Sequence, residues 1–270
     1  MNPGRFKIGI IFALVLSGDF AIGEQTDPAS AKKSPSASAA PQEPADEERL
    51  IEAYVRASGR FEEERFLTLA SSNGEFLTRF EPAATSQASG TLFVVPPPGQ
   101  SVLDIGFFSL LVEYFASIGW AILVPQTPLV TSPDPAAQEI WKADLVQRIT
   151  AVVKWASDNS TRPFVVLAMH KSSEVVADIL NDNEQALEFA LFGSFGAWAA
   201  RDIDTEVPII ELIHEVSQHA LKAAKTRALY RRRRGLQHEL YIIPGATPRL
   251  GALNEIGMAR LNGWIKRHAP

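Results

Sequence analysis

The stretch FVVLAMHKSSEVV, residues 164–176, decides how the chain folds. Phe164 to Met169 are all apolar, the pattern of a strand covered on both faces. The residues after it predict a short helix over 172–182. Working outward, the same unit recurs. Upstream, TLFVV (91–95) and WAILV (120–124) read as buried strands. A helix over 106–118 lies between them, with Phe107, Phe108, Leu111, Phe115 and Ile118 at helical spacing. Another, over 136–157, carries Trp141, Leu145, Ile149, Val152 and Val153 on one face. Downstream, LEFALF (187–192), VPIIELI (207–213) and HELYII (238–243) are further strands. A helix over 219–234 ends at Gly235, where a left-handed cap is wanted. The last helix, 252–267, turns Leu253, Ile256, Leu261, Trp264 and Ile265 inward. Ahead of all these come a short helix over 46–56, acidic in its first turn, and two strands, Arg65–Leu69 and Phe76–Phe80. Ser71-Ser72-Asn73-Gly74 joins the two as a hairpin. A hairpin and then repeated strand–helix units predict an α/β fold: a mostly parallel sheet with helices on both faces.

Composition sets the outer bounds. The chain has 270 residues, 46% of them apolar, with net charge −5 and a pI near 5.6. That suits one domain with a real core and excludes a disordered chain. The acidic balance argues against a nucleic-acid partner. With no cysteine there is no disulfide scaffold, thiolate metal site, cysteine nucleophile or lipidated cysteine. No cofactor motif is present.

Residues 1–23 read as an export leader. Arg5 and Lys7 precede an apolar run from Ile8 to Leu16, and Ala21 and Gly23 set up cleavage after Gly23. The run falls short of the ~20 residues a spanning helix needs. Residues 24–45 contain no aromatic residue and no Val, Ile, Leu or Met, and read as a flexible linker to a domain over 46–270. The mature chain would carry net charge −6, has no transmembrane helix, and is expected in the periplasm.

The order of elements resembles an α/β-hydrolase: hairpin, buried strand, Gly-containing loop, helix, then Gly119-Trp120 opening the next strand. More narrowly, the chain resembles the uncharacterised bacterial domain of unknown function 3530 family, whose members look like exported α/β-hydrolases. The carrying segments are EFLTRFEPA (75–83), GTLFVVPPPGQSVLD (90–104), Gly119-Trp120, and YIIPGATPRL through RLNGWIKR (241–267). The likeness covers residues 50–267.

The resemblance implies a nucleophile elbow after FVVLAM. Its G-x-S-x-G template needs small residues around a strained turn. Laid on Met169, His170, Lys171, Ser172 and Ser173, it puts Lys171 in the nucleophile's place. The acid's place falls on Ser217, with Glu215 two residues before it, and the histidine's on Pro248. None of the three suits its role, so the Ser-His-Asp triad is expected to be lost. The oxyanion loop opens Pro96-Pro97-Pro98, three residues without a backbone N–H, leaving Gly99 and Gln100 as donors. Gly99, Gln100 and Lys171 are the ligand-binding candidates.

A rearranged site would use Ser172 or Ser173 as nucleophile, His170 or His214 as base, and Glu215 or Asp104 to orient it. The commoner use of serine at such a junction is a helix cap. A Schiff-base role for Lys171 needs a buried neutral amine, whereas a lysine starting a helix is ordinarily exposed. His214-Glu215-Val216-Ser217-Gln218-His219 is one residue longer than H-E-x-x-H. Five residues turn a helix by about 500°, leaving the two rings roughly 140° apart; His238-Glu239 is available, but no third ligand is indicated and no metal site is expected. Arg231, Arg232, Arg233 and Arg234, preceded by Lys222, Lys225 and Arg227, form a basic patch for an anionic surface in the envelope. The helix dipole accounts for only one or two of them. The sequence thus predicts a non-catalytic binding or interaction module of the cell envelope, with a small molecule, peptide or envelope protein as partner. The alternative is an esterase-like serine hydrolase with rearranged catalytic residues.

Overall fold

The computed structural model describes residues 65–103, 105–130, 132–182, 188–199, 202–215, 217–244 and 255–270, with Leu50, Ile51, Ala53, Tyr54 and Ala57 ahead of them. All belong to one unit, Pro41–Pro270. The leader, the linker, most of the helix expected over 46–56, Leu253, Asp104 and Pro248 lie outside the described residues.

Eight strands form one sheet. β1 (Phe66–Ser71) and β2 (Gly74–Glu81) make the expected hairpin, and β2 runs antiparallel to β4 (Trp120–Pro125). From there the sheet is parallel through β3 (Gly90–Val95), β5 (Phe164–Met169), β6 (Phe189–Phe195), β7 (Ile209–His214) and β8 (His238–Ile243). The spatial order is β1-β2-β4-β3-β5-β6-β7-β8. Every residue of β3, β4, β5 and β7 is buried, as the apolar runs of these strands require when helices cover both faces, and β7 buries Glu211 and His214 as well.

Two apolar layers sandwich the sheet. On one face, α1 (Ile105–Ser117) and α5 (Glu255–His268) bring Leu111, Phe115, Met258, Leu261, Trp264 and Ile265 against Leu92, Leu167 and Leu212. On the other, α2 (Pro135–Asn159) and α3 (Ser172–Asn181) pack Trp141, Leu145, Ile149 and Val176 on Phe93, Val166 and Phe192. α4 (Gln218–Arg233) covers Ile213 with Ala220, Leu221 and Ala224. α2 starts as its sequence dictates: Asp134 accepts from the Ala137 N–H at 2.8 Å, and Pro135 holds the first helical position. α4 ends at Gly235 with φ +73°, the expected left-handed cap. One inward assignment is corrected. Ile256 is 55% exposed, and Met258 takes the inward place, because α5 begins at Glu255 and its buried stripe runs through 258, 261 and 265.

The basic run 231–234 is also corrected, since two arginines of α4 belong to the interior. Arg227 grips buried Glu211 of β7 with two hydrogen bonds, Nε–Oε1 at 2.8 Å and Nη2–Oε2 at 2.5 Å. Its guanidinium lies 3.9 Å from the Trp198 ring centroid, and the Trp198 indole donates to Glu211 Oε2. His238 Nε2 is 3.1 Å from Glu211 Oε1, outside good hydrogen-bond alignment. Burial raises the Glu211 pKa, but the bonds from Arg227 and the proximity of the His238 ring outweigh it and leave the carboxyl below its usual range. Arg231, fully buried, donates to four carbonyls: Ile203 and Thr205 through Nη1, Val207 and Gln237 through Nη2. Desolvation pulls its pKa down to about 10, still well above neutral pH. The patch is thereby reduced to Arg232, Arg233 and Arg234, and Arg234 is paired with Asp204 at 3.3 Å.

Replacing Arg231 by leucine should cost about 3 kcal/mol or more, because four buried carbonyls lose their donor. Arg233→Gln, on the exposed side, should stay within about 0.5 kcal/mol of the parent in urea denaturation. Equal effects would remove the interior role given to Arg231.

Candidate functional site

The carboxyl ends of β5, β6 and β7 meet at one place. β5 ends at Met169, and the next residue, His170, has φ +51°, the only non-glycine in the left-handed region among the described residues. A histidine there is strained, so the surroundings must hold it. Its N–H donates to Phe195 O at 2.8 Å, and its carbonyl accepts from the Ser173 N–H at 3.0 Å. The Ser173 hydroxyl donates to Ala168 O at 3.1 Å, and the Ser172 hydroxyl reaches across to Pro96 O at 2.5 Å.

This moves the elbow by one residue. The apex of the strand-to-helix turn is His170, not Lys171, with Ala168 two residues before it and Ser172 two after. Those small neighbours are what the steric logic of an elbow requires. Lys171 is directed away from the apex. Its ammonium donates to Gln138 Oε1 of α2 at 2.7 Å and sits 5.8 Å from the Trp141 ring centroid. Half-buried and tied to a neighbouring helix, it is neither the exposed lysine expected at a helix start nor the apex side chain. Ser172 and Ser173 are fully buried, and both hydroxyls donate to backbone carbonyls. Neither is paired with a histidine, and neither caps α3, whose cap residue is Lys171 with no side-chain bond.

The His170 ring occupies the space over Gly196, where a Cβ would lie 2.6 Å from Nδ1. Phe195 is edge-on to both histidines at this end of the sheet: its centroid is 6.1 Å from that of His170 and 5.2 Å from that of His214. His214, the last residue of β7, is 8% exposed, and its two ring nitrogens make no hydrogen bond among the described residues. Desolvation lowers the pKa of each imidazole, and for His170 the neighbouring His214 adds to it. Both rings are therefore neutral at pH 7. The site offers two uncharged imidazoles beside an aromatic wall and no hydroxyl at its apex.

The remaining candidates are scattered. Glu215 is exposed, and its N–H donates to Ile243 O. Ser217 caps α4 without a side-chain bond, and His219 is exposed in that helix's first turn, away from the strand end that holds His214. Gln100 donates its N–H to Pro97 O at 3.2 Å, closing a turn around Gly99 at φ +76°, so this N–H is engaged within the loop. Among the described residues, no group of three or more His, Asp or Glu side chains could hold a metal ion.

The strand order, the antiparallel hairpin at one edge and the sharp turn after β5 define an α/β-hydrolase fold. No family model matches the sequence, and no curated protein matches it. Solved structures do. The apo form of Thermogutta terrifontis esterase 2 superposes with TM-score 0.57 at 11% identity, over 78% of this chain and 98% of that one. Its paraoxon-phosphorylated form gives 0.57 at 11% identity, over 76% and 95%. A Pyrococcus furiosus esterase gives 0.56 at 11% identity, over 75% and 90%. The likeness is one of fold.

Sequence reasoning missed His170 as the apex. The signal was present in Ala168 and Ser172, the small pair that brackets it; laying the template over Met169–Ser173 placed the apex one residue too far along.

Gly196→Ala should lower stability by about 2 kcal/mol, since φ there is +87° and the new methyl would strike the His170 ring. A loss under about 0.5 kcal/mol in urea denaturation would mean the ring swings freely aside. The histidines also give a pH dependence. Each folded pKa lies below the ordinary 6.5, so the unfolded chain takes up protons first as pH falls. Their share of stability is complete above 6.5 and is lost as pH drops through the depressed values. The urea midpoint should fall between about pH 7 and about pH 5, and fall less in the His170→Gln/His214→Gln variant. An identical fall in the variant would exclude these two rings as the cause.

Proposed function

We propose that this protein is a pseudoenzyme: an α/β-hydrolase-fold binding module whose strand-end site, around His170 and His214, recognises a ligand instead of acylating on a serine. One observation carries the reading. The apex of the elbow is an imidazole, and the two nearby serine hydroxyls are both held by main-chain carbonyls. Two neutral rings, one with unpartnered nitrogens, suit hydrogen bonding to a small molecule or peptide more than the general-base relay a serine needs. The leader-like residues 1–23 and the resemblance to the domain of unknown function 3530 family support a place in the bacterial cell envelope. No cofactor is invoked.

One feature favours the rival esterase reading: a neutral imidazole at the apex is itself a nucleophile toward activated esters. Incubation with a fluorophosphonate and intact-mass analysis, alongside hydrolysis of p-nitrophenyl butyrate, separates the two. The binding reading expects no adduct and no turnover beyond that of the His170→Gln variant. An adduct removed by Ser172→Ala or Ser173→Ala, or turnover abolished by His170→Gln, would overturn it.

A further inference from the structure

α4 carries no acidic residue, and with two of its arginines turned inward its outer face becomes a defined stripe. Lys222, Lys225, Leu229, Arg232 and Arg233 are all exposed, following one another at helical spacing. They span about 16 Å of helix, taking 1.5 Å per residue. None of the four cations has an acidic partner among the described residues, whereas neighbouring Arg234 is paired with Asp204 and Arg267 with Glu239. Leu229 stands 48% exposed between the two pairs of cations. Together with Leu221, Lys222 and Lys225, it lines a hollow of about 320 Å³. On the adjoining edge strand, Ile242 is 38% exposed and shares a sheet face with Leu240, which packs under this helix.

We propose that this face of α4 docks on an anionic lipid surface. Complementarity is the first argument: a chain of net charge −5 concentrates unpaired positive charge along one helix. The arrangement chooses lipid over a folded acidic partner. Among the described residues, no hydrogen bond holds these four side chains in the fixed geometry a specific receptor would need, while a diffuse headgroup layer needs none. An exposed leucine among them suits shallow insertion below the phosphates, and the lysine-lined hollow offers a seat for one headgroup. None of the residues of this face belongs to the elbow, so the proposal stands whether or not the binding reading does.

Co-sedimentation of the whole protein with phosphatidylglycerol–phosphatidylcholine vesicles, and with pure phosphatidylcholine, tests this. Binding is expected only to the anionic vesicles and should weaken steeply with added salt. At roughly fivefold per cation near such a surface, the Lys222→Gln/Lys225→Gln/Arg232→Gln/Arg233→Gln variant should lose on the order of several hundredfold in partitioning. Leu229→Ser should lose a few-fold, and Arg234→Gln should match the parent. Equal binding to both vesicle types, no binding to either, or unchanged binding by the quadruple variant would overturn the proposal. So would capture by a soluble polyanion such as poly-glutamate or heparin with no vesicle binding.

Discussion

The left-handed backbone at His170 is the constraint around which the site is built. A chain leaving a buried strand and entering a helix within two residues has to reverse sharply, and here a bulky residue makes the reversal. It is held there from several sides. The main chain of β6 accepts its N–H, the serine that follows Lys171 is bonded across the sheet to Pro96, and Gly196 leaves room for the ring. The neighbouring elements have given up side-chain volume and hydroxyl protons to keep an imidazole at the tip.

The fold was largely legible in the sequence because its signals are strong and local. FVVLAM, TLFVV and WAILV are uninterrupted apolar runs, and each became a strand with every residue buried. The hairpin turn at Ser72-Asn73 and the cap at Gly235 came from backbone preferences that depend on few neighbours. The site was less legible, because its features depend on one-residue register. Template matching puts Lys171 at the apex and the serines beside it as cap or alternative nucleophile, whereas in three dimensions their hydroxyls close the turn and the residue before Lys171 takes the apex. The sequence offers His214 as an alternative base to His170; in space the two rings stand together around Phe195, a residue far from His214 in the chain.

Charge shows the same dependence on geometry. Four consecutive arginines look alike in one dimension, but a helix rotates each by about 100° from the last. Arg231 therefore points inward and ties the chain after β6 to the residue before β8, while Arg232 and Arg233 face outward. Arg227 clamps the one carboxylate buried within the central strands. The interior arginines are tolerable because each has several oxygen acceptors; without them the desolvation of a guanidinium would unfold the region.

The bond from Ser172 to the Pro96 carbonyl has a mechanical meaning. It rivets the loop after β3 to the first turn of α3, and these border the strand-end site on its β3 side. Two segments fastened to each other in this way behave as a single jaw. An incoming molecule would meet a rigid lip on that side, so its shape would be selected there before any adaptation elsewhere.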